Sequence, residues 1–174
     1  MRLALYQPDI PQNTGAIARL AACLGLALDI VEPAGFPISD RAFKRAGMDY
    51  LDHVIIHRHV SFVAFENWRR DKGYRLVLAT TKASCAHTSF AFERGDILML
   101  GRESSGVPEQ IHEAADARIT VPIQPGLRSL NVALAAAIIA AEAIRQIGEF
   151  PLPGGRSRER DNSPPAGDGR CELR

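Results

Sequence analysis

The sequence predicts an α/β domain: a mostly parallel six-stranded sheet with helices on both faces. Short apolar or β-branched runs alternate along the chain with helix-period segments, the order that builds parallel sheets. The 174 residues, 46% hydrophobic and 24% charged, suit one soluble domain with a real core. Polar, glycine-rich turns follow the later strands, at the ends where open α/β sheets bind ligands.

Strands are expected over 3–6, 28–31, 53–57, 75–79, 97–100 and 119–122, each a short run of Leu, Ile, Val or Ala. The first helix is expected over 14–24, with Asn13 as N-cap and Gly25 as the stop. Ser39 caps a short helix over 39–45, a third spans 61–72, Pro108 opens a fourth, and Ser129 caps a long last helix to about Gly148. From Pro151 the chain turns rich in Pro, Gly, Ser and Arg with almost nothing apolar to bury, so the folded unit is 1–150 and 151–174 reads as a disordered tail.

The charge is nearly balanced at +1, and residues 1–150 hold 16 basic against 16 acidic side chains. A globally basic nucleic-acid binder is thereby excluded, and any phosphate-binding surface must be a local patch. Arg41/Lys44/Arg45 and Arg69/Arg70/Lys72/Arg75 are candidates, though such groups are more often solvated helix faces. Cys23, Cys85 and Cys171 are odd in number and widely spaced, which indicates neither a disulfide framework nor a zinc site. No apolar run approaches the roughly 20 residues of a membrane span, and a cytoplasmic protein is expected.

Residues 130–141 of the last helix carry no charge on any face. A helix apolar all round is buried all round. In a domain this small, that points to a second subunit, hence a homodimer; burial deep in the monomer core is the alternative.

The P-loop, G-x-G-x-x-G, G-x-S-x-G and H-E-x-x-H patterns are all absent. His53, His57 and His59 alternate along one expected strand without a carboxylate or cysteine at ligand spacing, and no metal site is assigned. The remaining candidates are three turns after strands: 79–83 (Ala-Thr-Thr-Lys-Ala), 101–108 (Gly-Arg-Glu-Ser-Ser-Gly-Val-Pro) and 121–131, with Gly101, Gly106 and Gly126 allowing a ligand close to the backbone. The turn before the first helix holds Asn13, and Arg19 lies about one and two-thirds turns further on, where an inward-facing guanidinium would require an anionic partner or a ligand phosphate.

At these residues the chain resembles the SpoU branch of the SPOUT superfamily, the knotted RNA ribose 2′-O-methyltransferases. Asn13-x5-Arg19 is similar to the first motif, Leu100-Gly101-x-Glu103-x2-Gly106-Val107-Pro108 to the second, and Val121-Pro122 through Ser129-Leu130-Asn131-Val132 to the third. The match spans 1–150. Phrases such as Tyr6-Gln7-Pro8-Asp9-Ile10-Pro11-Gln12-Asn13 and Thr80-Thr81-Lys82 look closest to the small members that methylate the wobble nucleotide of tRNA.

The resemblance implies a C-terminal trefoil knot, an obligate homodimer, and S-adenosyl-L-methionine as cofactor, with S-adenosyl-L-homocysteine as product. It implies a cofactor site of Ala79, Thr80, Gly101, Glu103, Gly106, Val121, Ile123, Ser129 and Leu130. Arg19, Asn13, Glu103, Ser129 and Asn131 are the implied catalytic set: Arg19 beside the acceptor ribose, Asn13 orienting its turn, Glu103 holding the second loop or Arg128, and Ser129 with Asn131 near cofactor and acceptor. Arg41, Lys44, Arg45 and Arg128 are the expected contacts to the tRNA anticodon loop. Methylation of another tRNA or rRNA ribose, or a non-catalytic cofactor-binding RNA assembly factor, remain as alternatives at this point.

Overall fold

The computed structural model describes residues 1–37 and 53–152. The helix expected over 39–45, with Arg41, Lys44 and Arg45, lies outside the described residues, as do residues 153–174. Among the described residues six strands form one sheet: β1 (Arg2–Tyr6), β2 (Ala27–Val31), β3 (Ile56–His59), β4 (Arg75–Ala79), β5 (Asp96–Leu100) and β6 (Ala117–Ile119). Their order is β3-β2-β1-β5-β4-β6, and every neighbouring pair is parallel. The helices are α1 (Pro11–Leu24), α2 (Phe62–Asp71), α3 (Glu109–Ala114) and α4 (Val132–Ile147), with a 3-10 turn at His87–Ser89. No helix among the described residues is long and apolar enough to cross a membrane.

The period-2 alternation of strand side chains supplies two cores. Leu3, Leu5, Leu28, Ile30, Leu98 and Leu100 pack on one face against Ile17 and Ala21 of α1 and Ala136, Ile139 and Ala143 of α4. Ala4, Tyr6, Val31, Leu78, Ile97 and Met99 pack on the other against Phe65 of α2 and Ile111 of α3. Each fully buried Leu or Ile contributes about 1.5–3 kcal/mol, so these faces outweigh any surface ion pair in holding the fold.

Two strands differ from expectation. The edge strand runs over Ile56–His59 rather than 53–57, because parallel pairing from Leu28↔Ile56 to Val31↔His59 sets its register. The last strand ends at Ile119; beyond it Thr120 donates to the Cys85 carbonyl and accepts from His87 N–H, so the chain leaves β4 and follows the 80–87 loop.

Helix starts differ too. α1 begins at Pro11 with Ile10 as an N-cap that makes no side-chain bond, which puts Asn13 inside the first turn rather than at the cap. α4 is capped by Asn131, whose Oδ1 accepts from Ala133 N–H at 2.9 Å and Leu134 N–H at 3.4 Å; Ser129 is not the cap. Gly25 and Gly148 close α1 and α4 in the left-handed region, at φ +68° in both cases. α4 is not buried all round: Ala136, Ile139, Ala140, Ala143 and Ile144 are inside, while Leu134 is 58% and Ile138 41% exposed.

The second basic group is largely neutralised. Arg69 is buried between Glu66, Asp116 and the carbonyls of Tyr74 and Ala114, Arg70 pairs with Glu66, and Arg75 pairs with Asp96 and Glu93. It is a structural network rather than a phosphate patch.

On the α2 face, Asp29 of β2 is fully buried and accepts from Arg2 Nε at 2.8 Å and Nη2 at 3.1 Å, with His59 Nε2 at 2.9 Å. The Arg2 guanidinium lies over the Trp68 ring, 5.0 Å from its centroid. Asp29→Ala, which strands Arg2 and His59 without their acceptor, is expected to lower unfolding free energy by about 3–5 kcal/mol. Arg58→Ala, which breaks the exposed pair with Glu32, is expected to cost under about 1 kcal/mol. Urea titration of both variants measures the difference.

Candidate active site

The chain runs outward from β1 through β2 to β3, then crosses to β4 and returns to β5 beside β1. The β1–β5 boundary is therefore the point where strand order reverses, the place at which open α/β sheets bind ligands. Gln7, just past β1, takes φ +45°, uncommon for a residue with a side chain, and its N–H donates to the Val31 carbonyl at 2.8 Å.

The turn after β5 is held tight. Arg102 and Gly106 exchange two backbone hydrogen bonds of 2.9 Å, and Gly106 sits at φ +69°. A Cβ on Gly101 would come within 2.7 Å of the Gly106 carbonyl carbon, so Gly101 is required by the close approach of its own loop.

Glu103 is the junction of the site. One carboxylate oxygen accepts from the Asp9 N–H at 2.9 Å and the other from Asn13 Nδ2 at 3.1 Å. Asn13 Oδ1 in turn accepts from Asn131 Nδ2 at 3.0 Å, and Asn131 caps α4. A continuous hydrogen-bonded chain thus joins the turn after β1, the turn after β5 and the start of α4. Of the two alternatives for Glu103, holding the second loop or Arg128, a bond to Arg128 is not among its contacts in the described residues; from the second loop it holds the first turn.

Beside this junction Asp9 accepts from Arg102 Nη2 at 2.6 Å and Nε at 3.1 Å, and from the Ser104 N–H and hydroxyl. The Arg102 and Ser104 hydrogen bonds hold the Asp9 carboxyl down to about 2. Asp9 and Arg102 were not legible as site residues. The one available signal was an aspartate enclosed by Pro8 and Pro11 at a strand end, and its partner lies 93 residues away.

These turns enclose a cavity of about 560 Å³. Ala79, Leu100, Val107, Ile119 and Ile139 give it apolar walls; Thr80, Thr81, Ser104, Ser129, Asn13 and Asn131 give it polar ones. Of the residues singled out from sequence, Ala79, Thr80, Gly101, Glu103, Gly106, Val121, Ile123, Ser129 and Leu130 all line it, as do Asn13, Asn131 and Arg128. Lys82 and the buried His112 line it as well.

Arg19 is the exception. It does not face inward: α1 buries Thr14, Gly15, Ile17, Ala18 and Ala21, which leaves Gln12, Ala16, Arg19 and Cys23 on an exposed stripe at i, i+4, i+7 and i+11. Arg19 is also outside the cavity lining of its own chain.

Fold and site together define an α/β protein whose ligand cavity is built from three strand-end loops tied to one carboxylate. Residues 1–141 match the model of the SpoU rRNA Methylase family, and the chain belongs to that family. It is 62% identical over 154 residues to a protein of Ancylobacter novellus named tRNA (cytidine(34)-2′-O)-methyltransferase, covering 88% of this chain and 98% of that one. It is 39% identical to the protein of the same name from Escherichia coli K12, covering 85% of this chain and 94% of that one. Among solved structures, one described as "Structural insights into the 2-OH methylation of C/U34 on tRNA" matches with a TM-score of 0.77 at 40% identity, over 83% of this chain and 94% of that one. The SpoU methyltransferase AviRb from Streptomyces viridochromogenes, in complex with AdoMet, matches with a TM-score of 0.76 at 28% identity, over 84% of this chain and 60% of that one.

Gly101→Ala tests the loop geometry. The added methyl must displace the Gly106 backbone, so ligand affinity of the cavity is expected to fall by more than about tenfold while global stability, supported by the two cores, falls by about 1–3 kcal/mol. Calorimetric titration with S-adenosyl-L-homocysteine and a urea melt on the same preparation separate the two effects.

Proposed function

We propose that this protein transfers a methyl group from S-adenosyl-L-methionine to the ribose 2′-hydroxyl of the wobble nucleotide of tRNA. One observation carries the reading: the three motifs converge through Glu103, Asn13 and Asn131 on a single cavity. Support for the substrate comes from the relatives named for cytidine 34 of tRNA.

The cavity suits the cofactor. Its volume lies within the roughly 300–1,000 Å³ of small-molecule sites, and its apolar walls match a purine while its polar ones match an amino acid. Space beside the Gly106 Cα is open, so a ligand can approach the backbone there closely. Ala79, Thr80, Gly101, Gly106, Val121, Ile123, Ser129 and Leu130 would hold the cofactor. When bound, S-adenosyl-L-methionine supplies an electrophilic methyl group on a sulfonium.

The side chains supply alignment and electrostatics. Glu103 has both oxygens engaged by protein donors, so it positions the loops instead of taking a proton. Asn13 and Asn131, fixed to one another, present polar edges at the cavity rim, and rigid placement of reacting groups is worth several kcal/mol. Arg128 meets the RNA backbone. A guanidinium stays protonated in a protein, so Arg19 stabilises negative charge developing on the acceptor oxygen.

The same reading makes the protein a homodimer acting in the cytoplasm. Leu134 and Ile138 form an exposed apolar stripe on α4, and α4 packs beside α1, whose exposed stripe holds Ala16 and Arg19. A dimer closed over these stripes places Arg19 at the subunit interface. The C-terminal knot belongs to the reading as well: Gln146 of α4 bonds the Phe90 carbonyl and the Phe92 N–H, both at 3.0 Å, and so fastens α4 against the segment between β4 and β5.

Incubation with S-adenosyl-L-methionine and unmodified bulk tRNA, followed by digestion and mass-spectrometric mapping, tests the proposal. A new 2′-O-methyl at nucleotide 34 is expected, with Arg19→Ala losing at least about 100-fold in turnover while retaining cofactor affinity. Methylation elsewhere would reassign the substrate. Intact cofactor binding with no methyl transfer to tRNA would contradict the activity.

A further inference from the structure

Two cations stand at the cavity with no carboxylate partner among the described residues: Lys82, in the turn after β4, and Arg128, in the loop after β6. Arg2, Arg69, Arg75 and Arg102, by contrast, are all held in ion pairs. Both Lys82 and Arg128 are exposed and both line the cavity, on loops that leave neighbouring strands paired through Ala79↔Ile119.

The turn carrying Lys82 is built to hold its position. Thr80 N–H donates to the Ile119 carbonyl at 2.9 Å, the Thr80 hydroxyl accepts from Lys82 N–H at 3.3 Å, and the Thr80 carbonyl accepts from Ala83 N–H at 3.3 Å. Arg128 follows Gly126 at φ +87° and a Leu127 N–H bond to the Gln124 carbonyl of 3.3 Å. One cation is thus fixed to a short turn and the other sits on a longer loop.

Charge decides what they face. A sulfonium cofactor with one ammonium and one carboxylate carries net positive charge, so a pair of unneutralised cations disfavours it. The second ligand of the site, a polynucleotide, is a polyanion, and phosphate contacts from Lys and Arg are what fix a protein's register on nucleic acid. We infer that Lys82 and Arg128 form a clamp for the RNA phosphate next to the acceptor ribose, with Lys82 a positioning residue that the sequence motifs do not assign. This inference rests on the methyl-transfer reading above.

The test is tRNA binding by the full-length protein across a range of KCl concentrations, with S-adenosyl-L-methionine affinity measured in parallel. Lys82→Gln and Arg128→Gln are each expected to weaken tRNA binding by roughly three- to tenfold near 0.1 M salt and to flatten the log–log salt slope by about 0.7–0.9, the loss of one phosphate contact. Lys82→Arg, and Lys72→Gln on the far C-cap of α2, keep the wild-type slope, and cofactor affinity stays within about twofold throughout. An unchanged slope for Lys82→Gln in a protein that still methylates tRNA would overturn the clamp alone; so would loss of cofactor affinity without a change of slope. Failure of the wild type to bind tRNA would overturn the clamp and the methyl-transfer reading together.

Discussion

The site depends on one carboxylate. Glu103 accepts from the Asp9 N–H and from Asn13, which are carried by the turn and helix following β1, and thereby ties that turn to the one after β5. Hydrogen bonds to a charged acceptor are worth about 1.5–3 kcal/mol each, against about 0–1 kcal/mol for an exposed ion pair. Asn13 passes the constraint to Asn131, which donates its amide N–H to Asn13 and caps α4 with its one side-chain oxygen. The start of the last helix, the rim of the cavity and the turn after β1 are therefore tied together by one hydrogen-bonded chain.

The polar groups that hold the scaffold and those that build the site occupy different parts of the molecule. The two apolar faces of the sheet and the buried Arg2–Asp29–His59 group hold the scaffold, and none of these three polar residues lines the cavity. The cavity end adds glycines and short polar side chains to apolar walls it shares with the core, Leu100, Ile119 and Ile139 among them. Gly101, which gives up side-chain packing so that two backbone segments can touch, shows the division most directly.

Much of this was legible in the sequence, for local reasons. The strand over Arg75–Ala79 and the helix capped by Ser61 have sharp boundaries because their signals are local: a continuous apolar run, and a hydroxyl that caps the Ala64 N–H. The cavity lining was legible because the glycine-rich turns all follow strands. What failed was long-range. Asn13 has the residue type of a cap but is claimed by Glu103, 90 residues on, while Pro11 starts the helix earlier. The register of β3 belongs to its pairing with β2, the direction of Arg19 belongs to the packing phase of α1, and the Asp9–Arg102 clasp is a contact that no local pattern announces.

The most direct measurement is a double-mutant cycle of Glu103→Ala and Asn131→Ala, read as S-adenosyl-L-homocysteine affinity by calorimetry. If the hydrogen-bonded chain assembles the cavity, the second substitution costs much less once the first is made, with a coupling of at least about 1 kcal/mol. Additive losses, within about 0.3–0.5 kcal/mol, would mean that the three loops are held independently and that Glu103 is not their common support.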